Sequence, residues 1–318
     1  MNSKRLAGRV MIITGAGRGI GREYALLAAR EGAKVVVNDL GSGLHGEASE
    51  ETPAQEVVAQ IIAEGGEAIA DHSDVSDFEA TGKMVRRAIE TFGDLHVLVN
   101  NAGILRDRML VNMSPEEWDL TIRVHLRGHY CMSHHAAVYW RAQAKANGPS
   151  DRVLISTSSI SGLHGAAGQT NYASAKAGLA TFALLCHREL NANYGVRCYA
   201  IAPGARTRLT GSTPHAKQSV GQEVEAGTFD FASPSNVAPF VMWLTAEGCP
   251  VPSGAVFGVA GDKVDVYRPW EIGESFSAGD RQWTFEALDA AASDISAAIP
   301  ALAKTQAEKA REKDTASV

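Results

Sequence analysis

The sequence has no long apolar run and no excess of positive charge. Its first apolar run, Val10–Ile13, is too short for the core of a secretion signal or for a membrane-spanning helix. The formal net charge is −6, which excludes the broad basic surface that nucleic acid or anionic lipid requires. We therefore expect a cytoplasmic protein that binds neither nucleic acid nor membrane.

Cysteine is also scarce, with four residues in 318. There is no CxxC pair, no metal-ligand spacing and no disulfide framework, so reduced and mostly packed thiols are expected at Cys131, Cys186, Cys198 and Cys249.

Three histidines, His129, His134 and His135, share one predicted helix. His134 and His135 point about a quarter-turn apart, and no acidic residue has ligand spacing to them. We predict no metal site, and core, surface or subunit contacts remain open for these histidines.

What the chain does have is an alternation of short apolar runs and amphipathic stretches up to about residue 260. This pattern is typical of repeated βαβ units, and runs rich in Val, Ile or Leu are typical of buried parallel strands. It predicts one α/β domain, residues 5–261, built on a doubly wound, seven-stranded parallel sheet. The predicted strands are Val10–Thr14, Lys34–Asn38, Glu67–Asp71, Val97–Asn100, Arg152–Thr157, Arg197–Ala202 and Gly254–Val259.

Capping residues mark the helix starts. Pro53 after Thr52 suits a first helical position, because its missing N–H costs nothing there. Ser76 with Glu79 and Ser114 with Glu117 have capping-box spacing. The predicted helices lie near residues 53–64, 77–92, 114–146 in one or two pieces, 171–193 and 236–246.

Two segments stand outside this pattern. The glycine-rich loop 40–52 is expected on the surface. Residues 262–318, rich in alanine and charge, are expected to form a C-terminal extension with a flexible tail from about residue 304.

The stretch Thr14–Gly21, TGAGRGIG, lies between the first predicted strand and the first helix. In that context it predicts a phosphate-binding loop. Gly15 permits the tight turn, Gly19 lets the backbone approach a pyrophosphate, and Gly21 allows close packing of helix and strand. Asp39 ends the second strand, where its carboxylate can accept hydrogen bonds from ribose hydroxyls and repel a 2′-phosphate.

The glycine loop and Asp39 together predict a dinucleotide cofactor, and Asp39 favours NAD over NADP. Arg18 inside the loop argues the other way, since an arginine there can pair with a 2′-phosphate. A solvated arginine near the diphosphate is the alternative.

The glycine spacing, Gly17 included, resembles the TGxxxGxG of the short-chain dehydrogenase/reductase family, and further motifs follow in the family's order. They are Asp74-Val75, Asn100-Asn101-Ala102-Gly103, Ser159, the YxxxK of Tyr172 and Lys176, and Pro203-Gly204. The resemblance implies a single-domain Rossmann-type fold. It also implies cofactor contacts from Gly15, Gly17, Arg18, Gly19, Ile20, Asp39, Asp74, Val75, Asn101, Ala102, Gly103, Tyr172, Lys176, Pro203 and Gly204.

The resemblance also assigns catalytic roles. Tyr172 and Lys176, four apart at the start of a predicted helix, project from one face. Tyr172 would be the general acid/base, because the Lys176 ammonium and an oxidised nicotinamide both favour its phenolate. Lys176 would also bond the nicotinamide ribose, and Ser159 would hold the substrate oxygen.

The chain departs from the family at two positions. His125 replaces an asparagine that holds a water in the proton relay of many members. His125 either anchors the same water or is a buried structural histidine. Arg208 stands where a threonine is usual near the nicotinamide, so Thr207 or Thr210 could contact the carboxamide instead.

Longer segments narrow the resemblance. The stretches Val35–Gly41, Asn100–Arg108, Arg123–His129 and Gly168–Leu179 are similar to the dehydrogenase unit of the peroxisomal multifunctional enzyme type 2 and to stand-alone actinobacterial relatives. This implies oxidation of a 3-hydroxyacyl-CoA. Alternatives are a 17β-hydroxysteroid dehydrogenase, a 3-ketoacyl reductase and, in another class, a non-catalytic dinucleotide-binding scaffold, which the presence of both Tyr172 and Lys176 disfavours.

The remaining expectations concern substrate and assembly. Arg106, Arg108 and Arg127 could meet CoA phosphates or form surface salt bridges. The segment Thr210–Phe231 lies where the family places a substrate lid. A homotetramer or homodimer is implied, built on helices around 120–146 and 171–193.

Overall fold

The structure, a computed structural model, describes residues 4–41, 52–208, 224, 227–268 and 270–299. Its centre is an eight-stranded sheet in the order β3-β2-β1-β4-β5-β6-β7-β8. The strands are β1 Val10–Thr14, β2 Lys34–Asn38, β3 Glu67–Asp71, β4 Val97–Asn100, β5 Arg152–Thr157, β6 Val196–Gly204, β7 Val256–Ala260 and β8 Lys263–Tyr267. This confirms the predicted α/β fold with a mostly parallel, Rossmann-like sheet.

The eighth strand was not predicted. β8 pairs antiparallel to β7, so the sheet is not wholly parallel and does not stop at seven strands. Four of its five residues are exposed. An edge strand of this kind lacks the continuous apolar run by which the buried strands were recognised. The predicted domain end at residue 261 falls in the turn between β7 and β8.

Helices cover both faces of the sheet. One face carries α1 Gly19–Arg30, α2 Pro53–Ala63 and α8 Ala238–Leu244, whose apolar residues share one buried cluster. The other carries α3 Phe78–Phe92, α5 Gly128–Asn147 and α7 Thr170–Tyr194 around a second cluster. Buried strands between two helical layers are what the long apolar runs require.

The predicted helix 114–146 is continuous but not uniform. It comprises α4 Pro115–Ile122, a π-helical turn at Arg123–Arg127 and then α5. Ser114 and Glu117 form the predicted capping box at its start. A short helix, α6 Ile160–His164, follows β5 and was not predicted. Single π turns often occur at functional sites, and this one contains His125.

The described residues divide into two compact units, one ending at Tyr267 and one beginning at Arg268. The second unit contains α9, Phe285–Ala298, which Thr284 caps through the N–H of Ala287. Among the described helices none is long and apolar enough to cross a membrane. Residues 42–51, the predicted tail from 304, Thr210 and most of the predicted lid lie outside the described residues.

Candidate active site

The carboxyl ends of the parallel strands open into one cavity, where ligands bind in sheets of this kind. Its wall brings together most of the predicted cofactor residues with Ser159, Tyr172, Lys176 and His125. Gly17 and Gly204 are not part of the described wall. The predicted residues that do line it are Gly15, Arg18, Gly19, Ile20, Asp39, Asp74, Val75, Asn101, Ala102, Gly103, Ser159, Tyr172, Lys176, Pro203 and His125.

The glycine loop turns sharply between β1 and α1. Gly15 and Gly19 have φ of 60° and 55°, a conformation that side chains disfavour. A Cβ on Gly15 would lie 2.8 Å from Cα of Ala102, and one on Gly21 would lie 2.2 Å from the carbonyl oxygen of Gly15. The loop therefore presents bare backbone to the cavity in front of the α1 N-terminus, which favours an anion.

Asp39 closes this loop from the end of β2. Its Oδ2 accepts a 2.9 Å hydrogen bond from the N–H of Gly17, and its Oδ1 accepts one of 2.9 Å from Gly41. A Cβ on Gly17 would lie 2.8 Å from Asp39 Oδ2. Gly17 thus acts on the cofactor wall indirectly, by holding the carboxylate in place.

The turn after β4 is tied to the glycine loop. Asn101 donates from Nδ2 to the carbonyl oxygens of Thr14 and Gly15, at 3.1 Å each. Thr14 Oγ1 accepts from the N–H groups of Asn101 and Ala102 at 2.9 and 3.1 Å. These bonds fix the two walls of the cavity against each other.

The turn after β3 is held internally. Asp74 Oδ1 accepts from both the N–H and the hydroxyl of Ser76, at 2.8 and 2.7 Å. Val75 is buried against Gly128, where a Cβ would approach Val75 Cγ2 to 2.8 Å. The start of α5 therefore sets the position of this part of the wall.

Ser159 stands between β5 and α6 as the N-cap of that helix, and its Oγ accepts from the N–H of Ser161 at 3.2 Å. Glycine at 162 lets α6 lie against α7, because a Cβ there would come within 2.6 Å of the backbone N of Ala177. The serine therefore faces the first turns of α7, which carry Tyr172 and Lys176.

Lys176 is buried and its Nζ donates to the carbonyl oxygen of Thr157 at 2.6 Å. The same Nζ lies 5.5 Å from the centroid of the Tyr172 ring, within range of a cation–π contact. Ser158 adds a 2.7 Å hydrogen bond to the carbonyl oxygen of Lys176. The end of β5 thus supplies the partners that hold the lysine.

The titration of these groups is governed by burial. Desolvation raises the pKa of Tyr172 to about 12, with a hydrogen bond to Ser159 opposing the rise and the charge of Asp107 adding to it. Desolvation lowers the pKa of Lys176 to about 7. Burial thus disfavours the charged form of each group, the phenolate of Tyr172 and the ammonium of Lys176.

His125 is buried on the π-helical turn. Its Nε2 lies 2.8 Å from the carbonyl oxygen and 3.2 Å from the backbone N of Ile104, while its Nδ1 is buried with no hydrogen-bond partner among the described residues. Burial lowers the pKa of His125 well below the usual histidine range. The ring is therefore neutral at physiological pH.

Asn171, which the sequence analysis missed, positions Tyr172 from behind the described cavity wall. It is fully buried, and its Nδ2 contacts the carbonyl oxygens of Arg106 and Glu117 and the hydroxyl of Thr121, at 3.0, 3.1 and 3.1 Å. Its Oδ1 accepts from the N–H of Tyr172 at 2.7 Å. Its place directly before the tyrosine was the available signal, but one asparagine in a helix start is more often a local cap.

The structure also shows where further residues singled out in the sequence lie. Thr207 and Arg208 line the cavity, and Gly204 pairs with Ala260 in the sheet. Arg108 forms an ion pair with Glu117, and Arg127 donates to the carbonyl oxygen of Ser76. His135 bonds the carbonyl oxygen of Phe78, and no metal-binding group of acids, cysteines or histidines occurs within the part of the chain that the structure describes.

These residues fit a nicotinamide dinucleotide. The bare glycine loop and the α1 N-terminus suit its diphosphate, and the carboxylate of Asp39 suits a ribose. The wall of the same cavity also carries Lys176, Tyr172 and Ser159.

The family model for short chain dehydrogenases matches residues 9–219. The chain belongs to the short-chain dehydrogenase/reductase family. It is accordingly an oxidoreductase that acts on small molecules with a nicotinamide dinucleotide.

Two relatives confirm the narrower resemblance. Hydroxyacyl-CoA dehydrogenase ChsB1 of Mycobacterium tuberculosis is 42% identical over 284 residues, which cover 89% of this chain and 86% of that protein. Peroxisomal multifunctional enzyme type 2 of Mus musculus is 41% identical over 269 residues, which cover 84% of this chain and 33% of the mouse protein. The similarity is thus to one part of that longer enzyme.

Solved structures of short chain dehydrogenases are also similar to this chain. A short chain dehydrogenase from Mycobacterium avium has 45% identity and a TM-score of 0.82, covering 94% of this chain and 98% of that one. A short chain dehydrogenase from Burkholderia cenocepacia in complex with NADP has 28% identity and a TM-score of 0.68, covering 81% of this chain and 98% of that one. The choice between NAD and NADP has to be argued from this chain's own residues.

Proposed function

We propose that this chain oxidises a 3-hydroxyacyl-CoA to the 3-ketoacyl-CoA with NAD, through Ser159, Tyr172 and Lys176. The observation that carries the proposal is the convergence of these three side chains on one cavity wall, beside the glycine loop. The similarity to hydroxyacyl-CoA dehydrogenase ChsB1 supports the substrate class.

The side chains divide the chemistry among them. The cofactor, when bound, accepts the hydride. Tyr172 first loses its own proton to solvent, and its phenolate then takes the proton of the substrate hydroxyl. Ser159 donates a hydrogen bond to the same oxygen as negative charge develops there. Lys176 would hold the nicotinamide ribose, and in its ammonium form it would lower the cost of a phenolate at Tyr172.

His125 has two roles in principle, as a holder of the relay water or as a structural residue. The contacts of its Nε2 with the backbone of Ile104 favour the second. We therefore assign His125 a positioning role beside Tyr172.

Asp39 supports NAD over NADP. Its carboxylate is fixed by the N–H groups of Gly17 and Gly41, so it cannot swing away from a 2′-phosphate without losing two hydrogen bonds. Repulsion between the two negative charges then disfavours NADP. Arg18 also lines the cavity, on the side of the diphosphate-binding loop.

The proposal extends to organisation and assembly. We propose a cytoplasmic enzyme with a catalytic domain and a C-terminal extension. We further propose a homodimer or homotetramer formed through the helices around 120–146 and 171–193, where Tyr130, Val138 and Leu185 are exposed. Light scattering on the purified chain tests the assembly.

The decisive experiment measures NADH formation by the purified protein. Linear and steroid side-chain 3-hydroxyacyl-CoAs are offered beside a free 17β-hydroxysteroid, with NAD and then NADP. A higher kcat/KM with the thioesters and NAD supports the proposal. Turnover of the free steroid alone would make the chain a hydroxysteroid dehydrogenase, and full turnover by Tyr172→Phe would refute the mechanism.

A further inference from the structure

The helix α6, Ile160–His164, is a single turn that has Ser159 as its N-cap. None of its five residues is fully buried, and a single helical turn does not form by itself in water. Contacts with the rest of the protein therefore hold α6, and with it Ser159, in place. One of them is the close approach of Gly162 to α7 described above.

The other contact joins the end of α6 to the edge strand β8. Leu163 packs against a small buried cluster formed by α7, β6 and β7, and Tyr267, the last residue of β8, packs against the same cluster. The ring of His164 stands edge-on to the ring of Tyr267, with centroids 5.6 Å apart and an interplanar angle of 68°. The phenol of Tyr267 thus lies at the C-terminal end of α6.

The sheet fixes the ring of Tyr267. Tyr267 pairs with Val256 in the antiparallel ladder between β7 and β8. Its ring lies over Gly258, where a Cβ would come to 3.0 Å from Cε2 of the tyrosine. The missing side chain at position 258 therefore leaves the space that the ring occupies.

Backbone hydrogen bonds connect this contact to the catalytic serine. The N–H of Leu163, the residue that packs beside Tyr267, donates to the carbonyl oxygen of Ser159 at 3.2 Å, and the N–H of Gly162 donates to the same oxygen at 3.0 Å. The five residues of the turn span only about 7.5 Å. A displacement at its C-terminal end therefore reaches Ser159 directly.

We propose that Tyr267 is a positioning residue for Ser159. Its ring, held by β8, sets where α6 stands and thereby where the hydroxyl of Ser159 meets the substrate oxygen. This rests on the proposed function, which assigns the substrate oxygen to Ser159. Tyr267 lies outside the described cavity wall, so it takes no direct part in the chemistry.

The test is a double-mutant cycle between positions 267 and 159. In Tyr267→Ala, kcat falls about tenfold, part of the loss of about 10²-fold that a misplacement of about 1 Å can cause. The Kd of NAD is unchanged, because the glycine loop and Asp39 keep their contacts. In a Ser159→Ala background the same substitution causes no further loss, because the hydroxyl that it displaces is absent. An equal loss in both backgrounds would overturn the proposal.

Two variants control for general damage to β8. Tyr267→Phe keeps the ring and should restore the activity of the wild type. Val266 points to the opposite face of the strand and is 70% exposed, so Val266→Ala should also behave as the wild type. A loss in Val266→Ala as large as that in Tyr267→Ala would show that any change in β8 lowers activity, and the proposal would fail.

Hydrogen exchange of the ligand-free protein separates this inference from the proposed function. In Tyr267→Ala the amides of Gly162 and Leu163 should exchange faster than in the wild type, a result that needs no substrate. Exchange that stays unchanged would overturn the proposal. The kinetic cycle uses whichever alcohol the wild type oxidises, so it tests the role of Tyr267 even if that alcohol is a free steroid and no 3-hydroxyacyl-CoA is turned over.

Discussion

The imidazole of His125 stands edge-on to the phenol of Tyr172, with ring centroids 5.1 Å apart and an interplanar angle of 85°. Nε2 of the same imidazole lies 2.8 Å from the carbonyl oxygen and 3.2 Å from the backbone N of Ile104. The histidine thus joins the loop after β4 to the ring of Tyr172.

Replacing His125 should therefore displace the ring of Tyr172 and leave the pH dependence of kcat unchanged. In His125→Ala we expect kcat to fall by up to about 10²-fold, the loss that a misplacement of about 1 Å produces. The pH midpoints of kcat should stay where they are, because Tyr172 and Lys176 remain. Steady-state kinetics from pH 6 to 10 check this, and a lost or shifted limb would instead show that His125 belongs to the proton relay.

Glycine at 103 makes room for the same ring. A Cβ there would lie 2.4 Å from Cε1 of His125, so Gly103→Ala should destabilise the fold by about 1–3 kcal/mol, as overpacking does. In the double variant with His125→Ala the clash is gone, and the two costs should be less than additive. Urea unfolding measures all three variants.

The control for this experiment is Gly178→Ala on α7. A Cβ there would meet Leu126 at an ordinary 3.4 Å, and alanine favours a helix. This variant should be neutral or more stable. Additive costs at 103 and 125 would show that the two positions do not compete for space.

Asp39 should determine the choice of cofactor. In Asp39→Asn the charge that repels a 2′-phosphate is lost, while an amide oxygen can still accept from Gly17. We expect the kcat/KM ratio of NAD to NADP to fall at least about tenfold, equivalent to about 1.4 kcal/mol. Arg18→Ala is the matched variant and should shift the ratio the other way; an unchanged ratio in Asp39→Asn would move the discrimination elsewhere.

Asn171 should be intolerant of substitution. Asn171→Ala leaves the N–H of Tyr172 and two backbone carbonyls without their partner, at a cost of about 1–3 kcal/mol. Asn171→Asp should be worse, because a carboxylate cannot donate to those carbonyls. Thermal unfolding and kcat check both variants, and an Asp variant as stable as the wild type would contradict the assigned bonds.

The strands of the sheet and the glycine loop could be predicted because short, local sequence patterns specify them. The strands β1 to β5 and the turn at Gly15 are each specified by residues within the segment, so their bounds could be predicted. β8 could not, because its residues are mostly exposed and its pairing with β7 depends on the whole sheet. Asn171 and the His125 contact with Ile104 were missed because both join segments that are distant in sequence.

Acid stability should depend on His96, at the opposite end of the sheet. Its Nδ1 accepts from the N–H of Val10 at 3.1 Å, and its Nε2 lies 3.3 Å from Asp94 Oδ2. Burial lowers the pKa of His96, which Asp94 and Glu247 oppose and the charges of Arg152 and Arg9 assist. A proton on Nδ1 would break the bond to Val10.

The direction of this pH dependence follows because the pKa of His96 in the folded protein lies below the unfolded value of about 6.5. The stabilisation is complete above pH ~6.5 and is lost as the pH falls toward the folded pKa, by up to about 1.4 kcal/mol per pH unit for one proton.

In His96→Gln, whose amide can accept from Val10, the free energy of unfolding should depend less steeply on pH between pH 7 and 5. His125 and His129 also stay buried and neutral, with burial lowering the pKa of His129 to about 3, so part of the slope should persist. Urea unfolding at each pH measures this slope for the wild type and for His96→Gln. Equal slopes would show that His96 takes up no proton on unfolding.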